Sequence, residues 1–185
     1  GTVATAEVAK AVPDGYTMLL GFNGPLAFGP LLSKLPYDVA KDLAPVIITS
    51  SQPNVLAVNA QLPAKNLQEF IAWARANPGK LSYGSAGTGT MSHLSGELFK
   101  LRTGLSDVVH IPYKGGGPAI MSVIAGDTQV TFGTSPTVLP QAKGGKLRAL
   151  AVSFRDGSPL VPDLPGMKEA GLPEYNLEFW YGVFV

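Results

Sequence analysis

The sequence predicts an α/β fold, and two observations lead to that prediction. From Leu81 onwards, three short apolar segments each pass through a turn rich in Gly, Ser, Thr or Lys into a helical pattern. Strands that alternate with helices in this way form right-handed βαβ units and a parallel sheet. The composition agrees, since 45% of the 185 residues are hydrophobic and 15% are charged, as in a folded globular protein.

The first part of the chain predicts a mixture of helical segments and strands. Turn signals at Asp14-Gly15 and at Asn23-Gly24-Pro25 separate the first elements. The predicted elements are a helix over Thr2–Ala11, a strand over Tyr16–Phe22, a loosely helical segment over Pro25–Leu35, and strands over Leu43–Thr49 and Asn54–Asn59.

A capped helix follows these strands. Asn66 and Glu69 have the spacing of a capping box, with Asn in place of Ser or Thr. An apolar stripe at helical spacing comes next, and Pro78-Gly79 ends the helix. The stripe consists of Leu67, Phe70, Ile71 and Ala74.

Three strand–turn–helix units and a closing strand complete the pattern. The predicted strands are Leu81–Ser85, Val108–Tyr113, Gln129–Phe132 and Leu147–Ser153. The first helix runs to about Leu101, with Met91, Leu94, Leu98 and Leu101 on one apolar face. The next two helices are predicted to open at Pro118 and Pro136, because Pro suits the first helical position. Pro140 predicts that the last of them is short or kinked.

The turn Gly84–Gly89 is a candidate anion site at the carboxyl edge of the predicted sheet. Small residues let backbone N–H groups approach a ligand, and the helix that begins near Thr90 or Ser92 offers unpaired donors with a partial positive charge. This pattern favours a carboxylate or a phosphate. A tight turn with a Ser or Thr cap fits equally well. The turns Lys114–Pro118 and Gly133–Pro136 share the same edge.

Several other kinds of site are disfavoured. The glycine spacing G-x-x-G-x-G is not the dinucleotide fingerprint, and the turn contains no G-K-[ST]. With no cysteine and only two histidines, the sequence predicts neither a metal nor a cofactor. A net charge of +1 gives no support for a nucleic-acid partner, and no apolar run approaches the roughly 20 residues of a membrane span.

A serine hydrolase acting through Ser85 is the enzymatic alternative. The elbow G-x-S-x-G requires Gly two positions before the serine, where this chain has Tyr83. His93 lies one turn into the following helix and is a poor base for its own loop, and His110, inside a strand, is interpreted as a core or interface histidine. Because the sequence supplies no general base, we predict no catalytic residue.

Five segments follow one another along the whole chain and carry a family resemblance. They read "PDGYTMLLGFNG", "LPYDVAKDLAPV", "NVLAVNAQLPAKNLQEFIAWARANPGKLSYGSAGTGTMSHLSGELF", "VVHIPYKGGGPAI" and "GKLRALAVS" with "VPDLPGMKEAGLPEY" after it. Together they resemble the Bug/TctC family, the periplasmic solute receptors of tripartite tricarboxylate transporters.

The resemblance implies the type II periplasmic-binding-protein fold, in which two α/β lobes joined by hinge strands close on a ligand. Residues 1–57 would form part of lobe 1, with a hinge strand at 54–59, and residues 58–177 would form lobe 2. Residues 178–185 would be the second hinge strand, returning to lobe 1. The family also implies that the chain is truncated at both ends, without the signal peptide and opening strand–helix unit before Gly1 and the helices after Val185.

The resemblance further implies where a ligand binds. In the family, a ligand carboxylate is held by backbone and hydroxyl donors of the loop that matches Ser85–Thr90. Family members often carry Asp-Asn where this chain has Gly133-Thr134. The positions carried over as ligand-binding residues are Phe22, Asn23, Gly24, Ser85, Ala86, Gly87, Thr88, Gly89, Thr90, His93, Thr134 and Ser135.

The predicted function is therefore capture of a small organic acid by a monomeric periplasmic receptor that is not an enzyme. The expected partners are a carboxylate ligand and the membrane subunits of a tripartite tricarboxylate-type transporter. The alternative is a ligand-sensing effector domain of a regulator with the same two-lobe fold, which requires a DNA-binding module elsewhere in the full protein.

Overall fold

The computed structural model describes residues 1–185, which divide into two compact units. Residues 1–51 and 179–185 form the first unit, and residues 52–178 form the second. The second unit is therefore an insertion within the first along the chain. The lobe boundaries after residues 57 and 177 stay a prediction, and the strand Asn54–Asn59, predicted as a hinge strand, belongs to the second unit.

The first unit contains a small sheet flanked by short helices. Its strands are β1 (Leu19–Phe22), β2 (Pro45–Gln52) and β8 (Phe179–Phe184), in the order β1-β8-β2. Its helices are α1 (Thr2–Ala9), α2 (Gly29–Leu32) and α3 (Val39–Asp42), and a π-helical turn over Gly24–Phe28 precedes α2. The predicted strand Tyr16–Phe22 is too long, because β1 begins only at Leu19.

The second unit contains a five-stranded sheet with helices on both faces. Its strands are β3 (Asn54–Asn59), β4 (Ser82–Ser85), β5 (Val109–Pro112), β6 (Val130–Thr134) and β7 (Leu147–Val152). Its helices are α4 (Leu67–Ala76), α5 (Met91–Thr103), α6 (Gly116–Ala125) and α7 (Ser135–Lys143).

The strand order of this sheet is β5-β4-β6-β3-β7, and one strand runs against the others. β4 pairs parallel with β5 and β6, but β3 pairs antiparallel with both β6 and β7. The strands of the three predicted strand–turn–helix units are thus parallel, and β3, for which no direction was predicted, is the one reversed strand of this sheet. Because β3 is reversed, its first residue, Asn54, lies opposite Thr134 at the edge where the other strands end.

Two apolar cores lie on the two faces of this sheet. β3 contributes to both, since alternate residues of a strand point to opposite faces. Leu56 and Val58 pack with α4, α5 and the ring of Phe132, whereas Val55 and Ala57 pack with α6 and α7. All six residues of β3 are buried, so this strand is covered on both faces.

The buried face of α5 differs from the predicted one. Leu101 is 73% exposed, whereas Ser95, Gly96 and Phe99 are buried with Met91. A Cβ at Gly96 would overlap the ring of Tyr83. The tyrosine therefore packs directly on the helix backbone and turns the small residues, rather than the leucines, towards the sheet.

The remaining predictions differ in detail. The Asn66 side chain caps α4 by accepting from the Glu69 N–H at 2.9 Å, while the Glu69 carboxylate accepts from the backbone of Lys65 at 2.7 Å. α6 begins at Gly116, two residues before the predicted Pro118, because the preceding glycines continue the helical turn. α7 contains Pro140 and is nine residues long, which confirms that it is short.

Candidate ligand-binding site

One edge of the second unit collects the features that the sequence analysis singled out. The carboxyl ends of β4, β5 and β6 meet there, and α5, α6 and α7 each begin directly beyond one of these strands. α4 begins at the opposite edge, because β3 runs the other way. Three helix N-termini with unpaired N–H groups therefore share one edge of the sheet.

The ligand loop, residues 85–90, links β4 to α5 in a conformation that needs glycine. Gly87 has a φ of +131° and Gly89 a φ of +77°, a region that L side chains rarely adopt. The Thr90 hydroxyl donates to the Gly87 carbonyl at 2.6 Å, and the Thr90 N–H donates to the same oxygen at 3.3 Å. These contacts close the loop into a compact turn before the helix.

Part of the loop's donor capacity is used within the loop. The Ala86 N–H donates to Ser92 Oγ at 2.9 Å, the Gly87 N–H donates to Ser85 Oγ at 3.1 Å, and the Gly89 N–H donates to His93 Nδ1 at 3.1 Å. The first intrahelical bond runs from the Leu94 N–H to the Thr90 carbonyl at 3.0 Å. The donors left without a protein acceptor are the N–H groups of Thr88, Met91, Ser92 and His93.

The Ser85 side chain is fully buried, and a histidine lies against it. Its Oγ is 2.6 Å from Nε2 of His110. The expectation that no base lies near this serine is therefore wrong. Ser85 is nevertheless inaccessible, and its Oγ already accepts from the Gly87 N–H. This geometry fixes the turn and does not present a nucleophile to a substrate.

His110 belongs to a stack of three rings beneath the loop. Its ring centroid lies 4.8 Å from that of Tyr83 and 4.2 Å from that of His93, and the planes are inclined by 22° and 27°. Burial lowers the pKa of both histidines, and the charge of His93 lowers the pKa of His110 further. Both imidazoles are therefore neutral at pH 7.

The Glu97 carboxylate bonds to the tyrosine at one end of this stack. Glu97 accepts from the Tyr83 hydroxyl at 2.8 Å and from Lys100 Nζ at 3.1 Å. Burial raises the pKa of Glu97, but these two hydrogen bonds outweigh it and hold the pKa below its usual value. Burial, with the hydrogen bond to Glu97, raises the pKa of Tyr83. The carboxylate is thus charged and matched by a lysine.

The loop after β6 forms a second, simpler group of hydroxyls. Thr134 and Thr137 place their Oγ1 atoms 3.0 Å apart, and the Thr137 hydroxyl lies 2.8 Å from the Thr134 carbonyl. The Ser135 hydroxyl donates to the Pro53 carbonyl at 3.2 Å. The structure thus places Thr134 and Ser135 at the first turn of α7, on the same edge of the sheet as the ligand loop.

The other predicted residues belong to the first unit. Phe22 packs against Phe179 and Tyr181, with centroids 6.0 and 6.1 Å away. Asn23 is buried, its Oδ1 accepts from the Trp180 N–H at 2.9 Å, and Gly24 begins the π-helical turn. The roles of Phe22, Asn23 and Gly24 in binding stay a prediction.

Sequence reasoning missed the role of His110 and the surroundings of Asn54. The parallel pairing sets Tyr83 opposite His110 and Ser85 opposite Pro112, which brings residues 25 positions apart onto one face. Asn54 donates through Nδ2 to Ser95 Oγ at 3.1 Å, and its buried Oδ1 has no partner. Successive residues of a strand point to opposite faces of the sheet. Counting this alternation from the ends of the strands could have placed the side chains of Ser85, His110 and Asn54 on the face that α5 covers.

Two absences complete the description. The structure brings together no group of three His, Asp or Glu residues able to hold a metal ion. None of its helices is both long and apolar enough to cross a membrane.

Comparison with known proteins places these features in a family. The sequence profile described as "Tripartite tricarboxylate transporter family receptor" matches residues 1–185. The protein BugT of Bordetella pertussis is 39% identical over 185 residues, which cover 99% of this chain and 56% of BugT.

Solved structures give the same result. An R. palustris protein with adipate superposes with a TM-score of 0.91 at 36% identity, over 100% of this chain and 62% of that one. MatC from Rhodopseudomonas palustris with bound malate gives 0.86 at 32% identity, over 100% and 63%. The chain thus spans less than two thirds of the length of the relatives it matches, and the neighbours confirm the type II periplasmic-binding-protein fold.

Proposed function

The chain belongs to the tripartite tricarboxylate transporter receptor (TctC) family, and on that premise we propose that it captures a small organic carboxylate. Solved structures similar to it include periplasmic binding proteins, and the family consists of receptors, not enzymes. The proposed site is the carboxyl edge of the second unit, at the ligand loop and the first turn of α5.

One observation supports this site above the others. The N–H groups of Thr88 and of three consecutive residues at the start of α5, Met91 to His93, have no protein acceptor, although the neighbouring donors of the loop are used. Unpaired N–H groups at the start of a 13-residue helix attract an anion through both hydrogen bonds and the helix dipole. The positive φ at Gly87 and Gly89 also keeps side chains away from this backbone.

The ligands of the relatives indicate the chemical class. One solved relative contains adipate and another contains malate, and both ligands are dicarboxylic acids. A dicarboxylate needs a second set of donors, and the start of α7, with Thr134 at its N-cap and Ser135 as its first residue, lies at the neighbouring strand end. We therefore assign the first carboxylate to the ligand loop and the second to the start of α7.

The cellular role follows from the family. We propose an extracytoplasmic receptor that acts as a single chain and delivers its ligand to the membrane subunits of a tripartite tricarboxylate-type transporter. Neither a cofactor nor a metal has a role in this proposal, because binding requires only donors that the chain supplies.

Isothermal titration calorimetry with adipate and malate tests the proposal directly. Because neutral donors bind the ligand, the affinity is expected to change little when NaCl rises from about 0.05 to 0.5 M. Thr88 is exposed on the loop, so Thr88→Glu places a like charge beside the carboxylate and lowers the affinity by about tenfold. Thr88→Gln is the matched neutral control and is expected to bind like the parent protein.

Two results would contradict the proposal. The first is the absence of heat for a panel of dicarboxylates and tricarboxylates with a correctly folded protein. The second is equal affinity of the Thr88→Glu and Thr88→Gln variants, which would move the ligand away from this loop.

A further inference from the structure

The two histidines of the chain lie side by side beneath the ligand loop, although they come from different elements. His93 lies on α5 and His110 on β5. Their ring centroids are 4.2 Å apart, and Tyr83 of β4 extends the stack on the other side of His110. Parallel pairing of β4 with β5, and the start of α5, therefore bring both histidines of this chain to one place.

Each ring makes its hydrogen bond to a different end of the loop. His110 Nε2 lies 2.6 Å from Ser85 Oγ, at the residue where β4 ends. His93 Nδ1 accepts from the Gly89 N–H at 3.1 Å, just before the helix begins. The residues between these two contacts include Thr88, whose N–H is one of the unpaired donors.

The contact with His110 extends into the loop through Ser85. The Ser85 Oγ that meets His110 also accepts from the Gly87 N–H at 3.1 Å. Gly87 in turn accepts from the hydroxyl of Thr90 at 2.6 Å. A chain of hydrogen bonds thus runs from the imidazole of His110 to the N-cap of α5.

The contact with His93 requires a neutral ring. Nδ1 accepts a hydrogen bond, so the ring proton is on Nε2. The groups that face the stack are Tyr83 on β4, and Glu97 and Lys100 on α5. The Glu97 carboxylate bonds to Tyr83 and Lys100 and not to either imidazole, so neither ring is held as a cation by a bonded carboxylate.

Simple packing does not explain these contacts. Aromatic stacking alone would be met by phenylalanine at either position. The ring nitrogens instead meet a serine hydroxyl and a backbone N–H of the loop, at distances of 2.6 and 3.1 Å.

We infer that His110 and His93 are positioning residues that hold the two ends of the ligand loop. They fix the conformation in which the N–H groups of Thr88, Met91, Ser92 and His93 stay unpaired. Neither imidazole needs to touch the ligand for this role. The inference rests on the proposed function, since it assumes that this loop binds the carboxylate.

Matched substitutions separate hydrogen bonding from packing. Phenylalanine keeps a ring in the stack and removes the polar contact, so His110→Phe and His93→Phe are the disruptive variants. The glutamine amide can turn either its nitrogen or its oxygen towards the Nε2 position, so it can donate to Ser85 Oγ or accept from it. Asparagine places its amide oxygen near Nδ1, so His110→Gln and His93→Asn are the rescuing variants. Val109→Ala, on the exposed side of β5, is the control for changes in the strand.

Amide hydrogen exchange of the ligand-free protein is the first measurement. Loss of one hydrogen bond changes the equilibrium between the closed and open forms of the loop by about tenfold. We expect exchange at Gly89 to accelerate by about tenfold in His93→Phe, and exchange at Gly87 by a similar factor in His110→Phe. Glutamine or asparagine should restore protection to within about threefold of the parent protein, while the amides of β3 stay protected in every variant that has folded.

Calorimetry with adipate is the second measurement, on the same variants. The phenylalanine variants should lose about tenfold in affinity and the rescuing variants should recover most of it. If the phenylalanine variants protect Gly87 and Gly89 and bind adipate like the parent protein, the histidines only pack and the inference is wrong. It is also wrong if the rescuing variants behave like the phenylalanine variants.

The two proposals fail in different ways. If the parent protein binds no dicarboxylate, the proposed function fails whatever the histidine variants do. If the parent protein binds adipate but the exchange of Gly87 and Gly89 does not respond to the histidines, only the positioning role fails.

Discussion

Two consecutive strands of similar hydrophobicity lie in opposite environments. Val46, Ile47 and Ile48 of β2 are 59%, 62% and 65% exposed, whereas all six residues of β3 are buried. β2 is the edge strand of a three-stranded sheet, while β3 has a neighbour on each side and helices on both faces. The comparison shows that the elements packed on a strand decide its burial here, and not the apolar content of the strand.

The largest expected effect comes from truncating one side chain in each strand. Leu56→Ala leaves a cavity in the core between β3, α4 and α5 and should lower the free energy of unfolding by about 2–5 kcal/mol. Ile47→Ala in β2 removes an exposed side chain and should change it by less than about 0.5 kcal/mol.

The two tryptophans make this comparison measurable, since they lie in different units. Trp73 packs beside the core of the second unit, and Trp180 beside that of the first. With Trp180→Phe as background, urea unfolding followed by fluorescence of Trp73 reports the second unit and measures Leu56→Ala. With Trp73→Phe as background, the fluorescence of Trp180 reports the first unit and measures Ile47→Ala. Equal effects of Leu56→Ala and Ile47→Ala would show that burial does not distinguish the strands.

The contrast between these strands also shows what the sequence can predict. The bounds of β3 were predicted as Asn54–Asn59 and are confirmed, because an apolar run between turn signals has a clear length. Its direction was not predicted, since periodicity carries no information on the direction of a strand. The predicted buried face of α5 was wrong for a related reason. The Tyr83 ring packs against Gly96, and this contact joins residues of two different elements.

Only part of the candidate site could be predicted, because contacts between different elements are again invisible in the local pattern. The glycines and hydroxyls of residues 85–90 are a local signal, and the structure shows a turn that opens a helix. The pairing of Ser85 with His110 depends on the register of β4 with β5, which local patterns do not specify. Fold class and loop were thus visible in the sequence, whereas contacts between strands were not.

A smaller change in the free energy of unfolding is expected from removing one side-chain hydroxyl that bonds to β3 and one that belongs to β2. Buried Ser153 accepts from the Asn54 N–H at 2.9 Å and donates to the Leu177 carbonyl at 2.7 Å. Ser153→Ala leaves both groups unpaired and should cost about 1–3 kcal/mol. Thr49→Val in β2 removes only an exposed bond of 3.3 Å to Tyr181 and should be close to neutral. Urea unfolding of both variants decides this, and a neutral Ser153→Ala would contradict the assignment.

The smallest expected effect is a difference in pH dependence between the units. Both histidines belong to the second unit, and burial lowers their pKa below the unfolded value of about 6.5. The folded form therefore binds fewer protons than the unfolded form below that pH, so stability is complete above about pH 6.5 and falls as the pH decreases. The first unit has no histidine and should not share this decrease.

The measurement is the urea midpoint of each unit between about pH 7.5 and 5, reported by Trp73 or Trp180 in the single-tryptophan variants. The double variant His93→Asn, His110→Gln should flatten the profile of the second unit. A profile that falls equally in the parent and the double variant would assign the decrease to other groups.

The reversal of β3 has a consequence for how this family can diversify. Because β3 starts where its neighbours end, the chain enters and leaves the inserted segment through residues that meet on one serine, Ser153. Adjacent ends are the requirement for exchanging a whole segment without rebuilding its host. Recombination or protein engineering can therefore exchange residues 52–178 between homologues as one segment.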